Sequence, residues 1–336
     1  MKKRFKLISL ITTSILVAIV FLCIYQNNYE MVEKKIEIKT PNGVLTGTLA
    51  LPNHYSGKLG LVIFVHGDGG TNDSYDGGYK PLWEKLASVG YASLSWNKPG
   101  IHGSDGHWLN QSMEDRAQEV IHAIDWAKTL PMIDNEQIGL WGASQAGWVI
   151  PKVVKKERTI AFSILVAPAI NWVAQGKYNT EKQLEQSGYS KEEIQVVKKY
   201  DDQVLDLLTS QSPYDEYLKM ADKDNFISEE RWKFIAKNYQ ADATEELKYF
   251  NSPVHLVLGG QDINVDIHDT KQVYKQNISL DLLSISLLPD ADHSMLRKEL
   301  STSKLRTNIA AIFFPKYLFD PKYLNDLTQF VAPFNK

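Results

Sequence analysis

Leu140-Trp141-Gly142-Ala143-Ser144-Gln145-Ala146-Gly147 decides how the rest of the chain is read. Apolar residues from Ile138 lead into it as a buried strand, small residues flank a single hydroxyl, and a helix over Ala146 to Val154 follows. A turn bordered by such small side chains can bend sharply enough to hold a serine Oγ clear of a sheet, the geometry of a nucleophile elbow. Ser144 is therefore the candidate nucleophile. The stretch departs from G-x-S-x-G at one place: Ala146 stands where the second glycine belongs, and Gly147 follows it.

Working outward, 336 residues suffice for one large α/β domain with an insertion or for two ordinary domains. With 43% hydrophobic and 23% charged residues, a sizeable core is available. The net charge is −3, and beyond the N-terminus the basic residues are dispersed, so the footprint of a nucleic-acid partner is absent. Cys23 is the one cysteine, which excludes an internal disulfide and a thiolate metal site.

The N-terminus carries a separate signal. Lys2, Lys3, Arg4 and Lys6 precede Leu7 to Ile24, eighteen residues without a charge. As a helix that run would span ~27 Å, close to the hydrocarbon thickness of a bilayer. The basic start puts the N-terminus in the cytosol and the remainder on the far side. Val20-Phe21-Leu22-Cys23-Ile24-Tyr25 offers no small-residue cleavage pattern, so residues 1–25 are expected to be an uncleaved single-pass anchor, the alternative being a cleaved signal and secretion.

Downstream, strands alternate with helices. Ile36 to Thr40 and Val44 to Leu51 flank a Pro41-Asn42-Gly43 turn and read as a hairpin. Leu61 to Val65, Tyr91 to Trp96, Ile138 to Trp141, Ile160 to Ala167, Val254 to Leu258 and about Leu282 to Leu287 are apolar runs fit for buried strands. Residues 171–249 shift to Glu, Lys, Asp, Gln and Tyr, with a Ser190–Glu193 capping box and a possible cap at Ser228. They read as a helical insertion over the sheet, its Trp and Tyr residues either packing the two together or lining an acyl pocket. The fold class is α/β: a mostly parallel central sheet with helices on both faces and a helical cap, whose ligand site lies beyond the carboxyl ends of the strands.

The residues at those ends carry the chemistry. A neutral serine needs a base to take its proton and an acid group to orient that base. Asp262 follows Gly259-Gly260-Gln261 after one strand, and His293 lies in Pro289-Asp290-Ala291-Asp292-His293 after the last. Ser144, Asp262, His293 is the chain order of an α/β-hydrolase triad. Asp266 is the alternative acid. Backbone N–H groups of Gln145, next to the nucleophile, and of Asp68, in the His66-Gly67-Asp68-Gly69-Gly70 loop, are the candidate oxyanion donors. Asp68 reads equally as a turn residue, and His66 as a structural loop histidine.

These features together resemble the α/β-hydrolase superfamily of serine hydrolases with a helical cap, from Ile36 to the C-terminus. The resemblance rests on the His-Gly loop, the Gly-rich loop from Pro99 to Gly106, the Gly-Ala-Ser-Gln-Ala-Gly elbow, the Gly-x-x-Asp site and the late Asp-His. It implies acyl transfer to water without metal or cofactor. With the N-terminal reading, the expectation is that residues 26–336 act outside the cytosol on a small-molecule carboxylic ester or thioester. A peptidase of the same fold is the alternative within the class. A non-catalytic binding protein is the alternative outside it.

Overall fold

A computed structural model describes residues 2–222 and 226–334, without the side chains of residues 2–11 and Leu16. Met31–Thr40 (β1) and Gly43–Pro52 (β2) form the hairpin at the Pro41-Asn42-Gly43 turn, paired from Met31 opposite Pro52 to Thr40 opposite Gly43. Leu59–Val65 (β3), Tyr91–Trp96 (β4), Ile133–Ala143 (β5), Phe162–Val166 (β6), Val254–Gly259 (β7) and Leu283–Leu288 (β8) complete one sheet. Its order is β1-β2-β4-β3-β5-β6-β7-β8, antiparallel as far as β4 and parallel from β4 to β8. This is the mostly parallel α/β sheet expected from the strand pattern.

Helices cover both faces because successive strand residues point to opposite sides. Val62, Phe64, Trp141, Ile164 and Val257 pack against Lys80–Ala87 (α2) and the C-terminal Pro321–Val331 helix. Leu61, Ile63, Leu140, Leu165 and Leu256 pack on the other side against Met113–Lys128 (α3) and Ile150–Lys156 (α4). The elbow helix differs from expectation: it is split into a 3₁₀ turn, Ser144–Trp148, and α4. Pro151 is the reason, since it has no N–H to continue the preceding turn and fits only the first turn of a new helix.

Between β6 and β7 stand Trp172–Gln186 (α5), Lys191–Thr209 (α6), Tyr214–Met220 (α7), Glu229–Asn238 (α8) and Thr244–Leu247 (α9). The Ser190–Glu193 capping box opens α6, and the Ser228 hydroxyl caps α8. Trp148 joins this cap to the elbow, stacking on Trp172 at 4.8 Å and donating its ring N–H to Ile170 O at 2.7 Å. Ile267–Asn277 (α10) links β7 to β8; Lys298–Ser301 (α11), Lys304–Phe313 (α12) and the Pro321–Val331 helix (α13) close the chain.

The N-terminal run forms one helix, Lys2–Asn27 (α1), that continues past the expected boundary at residue 25. Six of the eighteen uncharged side chains, Leu7 to Ile11 and Leu16, lie outside the described residues. Among the described residues no helix is long and apolar enough to cross a membrane. The anchor thus stays an expectation of the sequence.

Candidate active site

The elbow is built by close approach. A Cβ on Gly142 would lie 2.6 Å from both Ala146 Cβ and Ile150 Cδ1, so position 142 must be glycine for α4 to fold back under the turn. The same contact explains Ala146: its methyl fills the space that Gly142 leaves open, and it is fully buried. Ser144 at the tip has φ +54°, a left-handed conformation rare for a side-chain-bearing residue and held here by its neighbours. Its carbonyl accepts from Ala169 N at 3.1 Å, which pins the turn to the end of β6.

Asp262 and His293 meet at the adjacent strand ends. Gly259 and Gly260 let the two loops touch, because a Cβ on Gly259 would fall 2.3 Å from Asp292 O and one on Gly260 2.5 Å from Pro289 O. Asp262 Oδ2 bonds His293 Nδ1 at 2.8 Å, while Oδ1 accepts from Asn264 N at 2.7 Å and Val265 N at 3.0 Å. The Asp262 side chain is fully buried; that of His293 retains 18% exposure. Because a carboxylate faces Nδ1, the proton sits there and the Nε2 lone pair is free to act as a base. Among the described residues no hydrogen bond joins Ser144 Oγ to His293; such contacts are often long before substrate binds. Asp266 caps α10, accepting from His268 N and Asp269 N.

The oxyanion loop has its own scaffold. Lys98 Nζ, buried, donates to Gly67 O at 2.6 Å and Gly69 O at 2.8 Å. In a trans peptide the C=O and the following N–H point opposite ways, so holding Gly67 O turns the Asp68 N–H away from Lys98. Among the described residues that N–H has no acceptor. Gly67 itself lies against the candidate nucleophile, since a Cβ there would stand 3.6 Å from Ser144 Cβ. Arg116, on the buried face of α3, donates to His66 O at 2.5 Å and to Gln145 Oε1. Gln145 Nε2 donates to Asp68 Oδ1 at 3.0 Å, and Arg231 of α8 grips the same carboxylate at 3.0 and 2.6 Å. The side chains of both candidate oxyanion residues are thereby linked to each other and held between two arginines.

Burial acts on these charges in opposite ways. It pushes the Lys98 ammonium well below its ordinary value, with Arg116 adding to the effect. Burial, the largest single influence, would raise Asp68, but the hydrogen bonds and charge of Arg231, the Gly69 N–H and the Lys98 charge together outweigh it and hold the carboxyl below the usual range. His66 is held down to about 3, first by burial and then by Lys98, and it is committed to Trp96 O at 2.6 Å and Tyr79 OH at 3.0 Å. It is a structural residue.

Lys98, Arg116 and Arg231 escaped the sequence reading. Arg116 alone left a signal, occupying the apolar stripe between Met113 and Val120 where a charge is out of place. Among the described residues no group of three or more His, Cys, Asp or Glu side chains is placed to hold a metal ion.

A parallel sheet covered on both faces, with a strained serine turn at its carboxyl edge, defines a hydrolase of the α/β-hydrolase fold. Residues 44–289 match the X-Pro dipeptidyl-peptidase (S15) family, and the chain belongs to it. Among curated proteins it is 26% identical over 149 residues to the uncharacterized peptidase YuxL of Bacillus subtilis, a match covering 43% of this chain and only 23% of that protein. Among solved structures it resembles the Pyrococcus furiosus esterase Pf2001 at TM-score 0.58 and 17% identity, covering 91% of this chain and 92% of that one. Est1E from Butyrivibrio proteoclasticus, with ferulic acid bound, gives TM-score 0.55 at 18% identity, covering 89% and 97%. At these identities the structural likeness concerns the fold.

Proposed function

We propose that the protein is a serine hydrolase that cleaves a carboxylic ester or thioester through Ser144, His293 and Asp262. The carrying observation is the 2.8 Å bond between His293 Nδ1 and a fully buried Asp262, at the same edge of the sheet as a serine with φ +54°. In this reading His293 Nε2 takes the Ser144 proton as Oγ attacks the acyl carbon. The N–H groups of Gln145 and Asp68 receive the oxyanion. The protonated His293 then gives its proton to the leaving group, and water hydrolyses the acyl-enzyme by the same steps in reverse order.

The family membership favours a second reading, removal of X-Pro dipeptides. A dipeptidyl-peptidase must hold a free ammonium with a carboxylate. Here Asp68 is engaged with Arg231, Asp262 with His293, and Asp292 with Ser294 N and Leu296 N, both at 3.0 Å, while Asp76, which lines the same cleft as Asp68, accepts from Asn72 Nδ2 at 2.5 Å. That supports the ester. The uncharged run after a basic start further supports a catalytic domain held at the outer face of a membrane by residues 1–25.

A fluorophosphonate probe followed by peptide mass spectrometry tests the nucleophile. Labelling at Ser144 that vanishes in Ser144→Ala and falls by at least ~100-fold in rate in His293→Ala is expected. Unchanged labelling in His293→Ala would sink the triad. Paired assays with a p-nitrophenyl ester and an X-Pro p-nitroanilide separate the two substrate readings, the ester being turned over with the higher kcat/KM.

A further inference from the structure

Beside the sheet and its covering helices, α12 leaves an apolar face without a partner among the described residues. It packs through Ala310 and the Thr307 hydroxyl, which donates to Leu300 O at 2.9 Å, onto a small cluster with Leu296 and Leu318. On the opposite side Leu305, Ile309, Ile312 and Phe313 are 70%, 45%, 62% and 46% exposed. Their spacing of four, seven and eight residues puts them on one stripe. Four large apolar side chains on one short helix are more than the scattered exposure normal for a surface.

Charge and position say what covers them. From Leu300 to Phe319 there is no acidic residue, and exposed Lys304 and Arg306 at the start of α12 have no ion pair among the described residues. A basic amphipathic helix of this kind suits an anionic lipid surface. A second copy of the chain would bring the same two cations to the face and no acid to meet them. The end of α12 also meets the end of α1, where Asn27 Nδ2 donates to Ile312 O at 3.3 Å. Just beyond, Lys316 stands over the rings of Tyr25 and Tyr29 at 5.3 and 5.1 Å. The described part of α1 leading to that contact is itself apolar and open, with Phe21 and Tyr25 68% and 66% exposed. Tyrosines at the end of an apolar helix mark the headgroup level of a bilayer.

We propose that α12 is a membrane-interfacial helix that lies on the bilayer where α1 leaves it, burying Leu305, Ile309, Ile312 and Phe313 among the acyl chains. The inference rests on the reading that the N-terminal run meets a bilayer, and not on the triad. Two contacts with the lipid, one from α1 and one from α12, would fix how the domain faces the membrane, which a single helix leaves free to rotate.

The test uses the full-length chain with Cys23→Ser, reconstituted into phosphatidylglycerol–phosphatidylethanolamine vesicles with and without doxyl-labelled lipid. Environment-sensitive fluorophores are attached singly through Ile309→Cys, Phe21→Cys and, in the exposed cap helix α7, Lys219→Cys. The expected result is blue-shifted emission and strong doxyl quenching at 309 and 21, several-fold above that at 219, with the effect at 309 weakened when phosphatidylglycerol is omitted. Quenching at 21 with an aqueous spectrum at 309 would overturn the role of α12 while leaving the anchor standing. A blue shift at 309 that ignores doxyl lipid and grows with protein density would assign the face to a second copy and overturn the proposal. No quenching at either site would remove the membrane reading and α12 with it.

Discussion

At the scale of single residues the site stores backbone strain at Ser144. Alanine keeps the unfavourable φ of +54° whereas glycine relaxes it. Both variants lose the proposed nucleophile, so stability separates them: Ser144→Gly is expected to unfold about 1 kcal/mol harder than Ser144→Ala in urea. Gly142→Ala should do the reverse, costing ~1–3 kcal/mol by overpacking Ala146 and Ile150. Lys98 shows how an uncatalytic charge shapes a catalytic loop. Lys98→Met leaves the carbonyl of Gly67 without a donor, that of Gly69 with only the Thr71 hydroxyl at 3.2 Å, and frees the Asp68 peptide to turn. Phosphonylation should slow by roughly 10- to 100-fold, less than removal of a direct oxyanion donor.

Between elements, the contact that matters is the one from α8 to the loop after β3. Arg231 is the cap's grip on Asp68, and without it an unpaired carboxylate would sit beside the developing oxyanion. Arg231→Ala is therefore expected to slow phosphonylation of Ser144 by ~10-fold or more, and Asp68→Asn in the same chain to restore part of the rate. A double variant no faster than Arg231→Ala would reduce the pair to simple packing. Sequence periodicity made α6 and α8 of the five insertion helices legible, through the Ser190 capping box and the Ser228 cap, because caps and apolar stripes are local features. It was silent on Arg231, since nothing in a polar helix says which of its charges turns toward the sheet.

For the whole molecule, pH acts through buried histidines. His66 is held down to about 3 and His255 to about 4, chiefly by burial in each case. Once unfolded, both return to the ordinary value of about 6.5. Between those limits the unfolded chain binds more protons than the folded one, so stability is fully present above about pH 6.5 and declines below it. The decline approaches ~1.4 kcal/mol per pH unit for each histidine and ends near the folded values. Urea unfolding from pH 7 to pH 4.5 measures it, and His66→Gln should flatten the slope by about one proton. The mostly parallel sheet with helices on both faces followed from the strand pattern, where continuous apolar runs alternate with helices, whereas the order of its strands did not. The break in the elbow helix is also written in the chain, at Pro151.

Sequence by itself determined the α/β class, the small-residue elbow and the strand-end positions of Ser144, Asp262 and His293, because these depend on periodicity and on the order of loops along one edge. Tertiary structure alone decided which side chains stand together there. The bond between Asp262 and His293 needs two glycines to bring separate loops into contact, and the chain from Arg231 through Asp68 and Gln145 to Arg116 joins residues up to 163 positions apart. No local pattern encodes such a meeting. It is set by how helices close over the sheet, and by the burial that makes each charge find a partner.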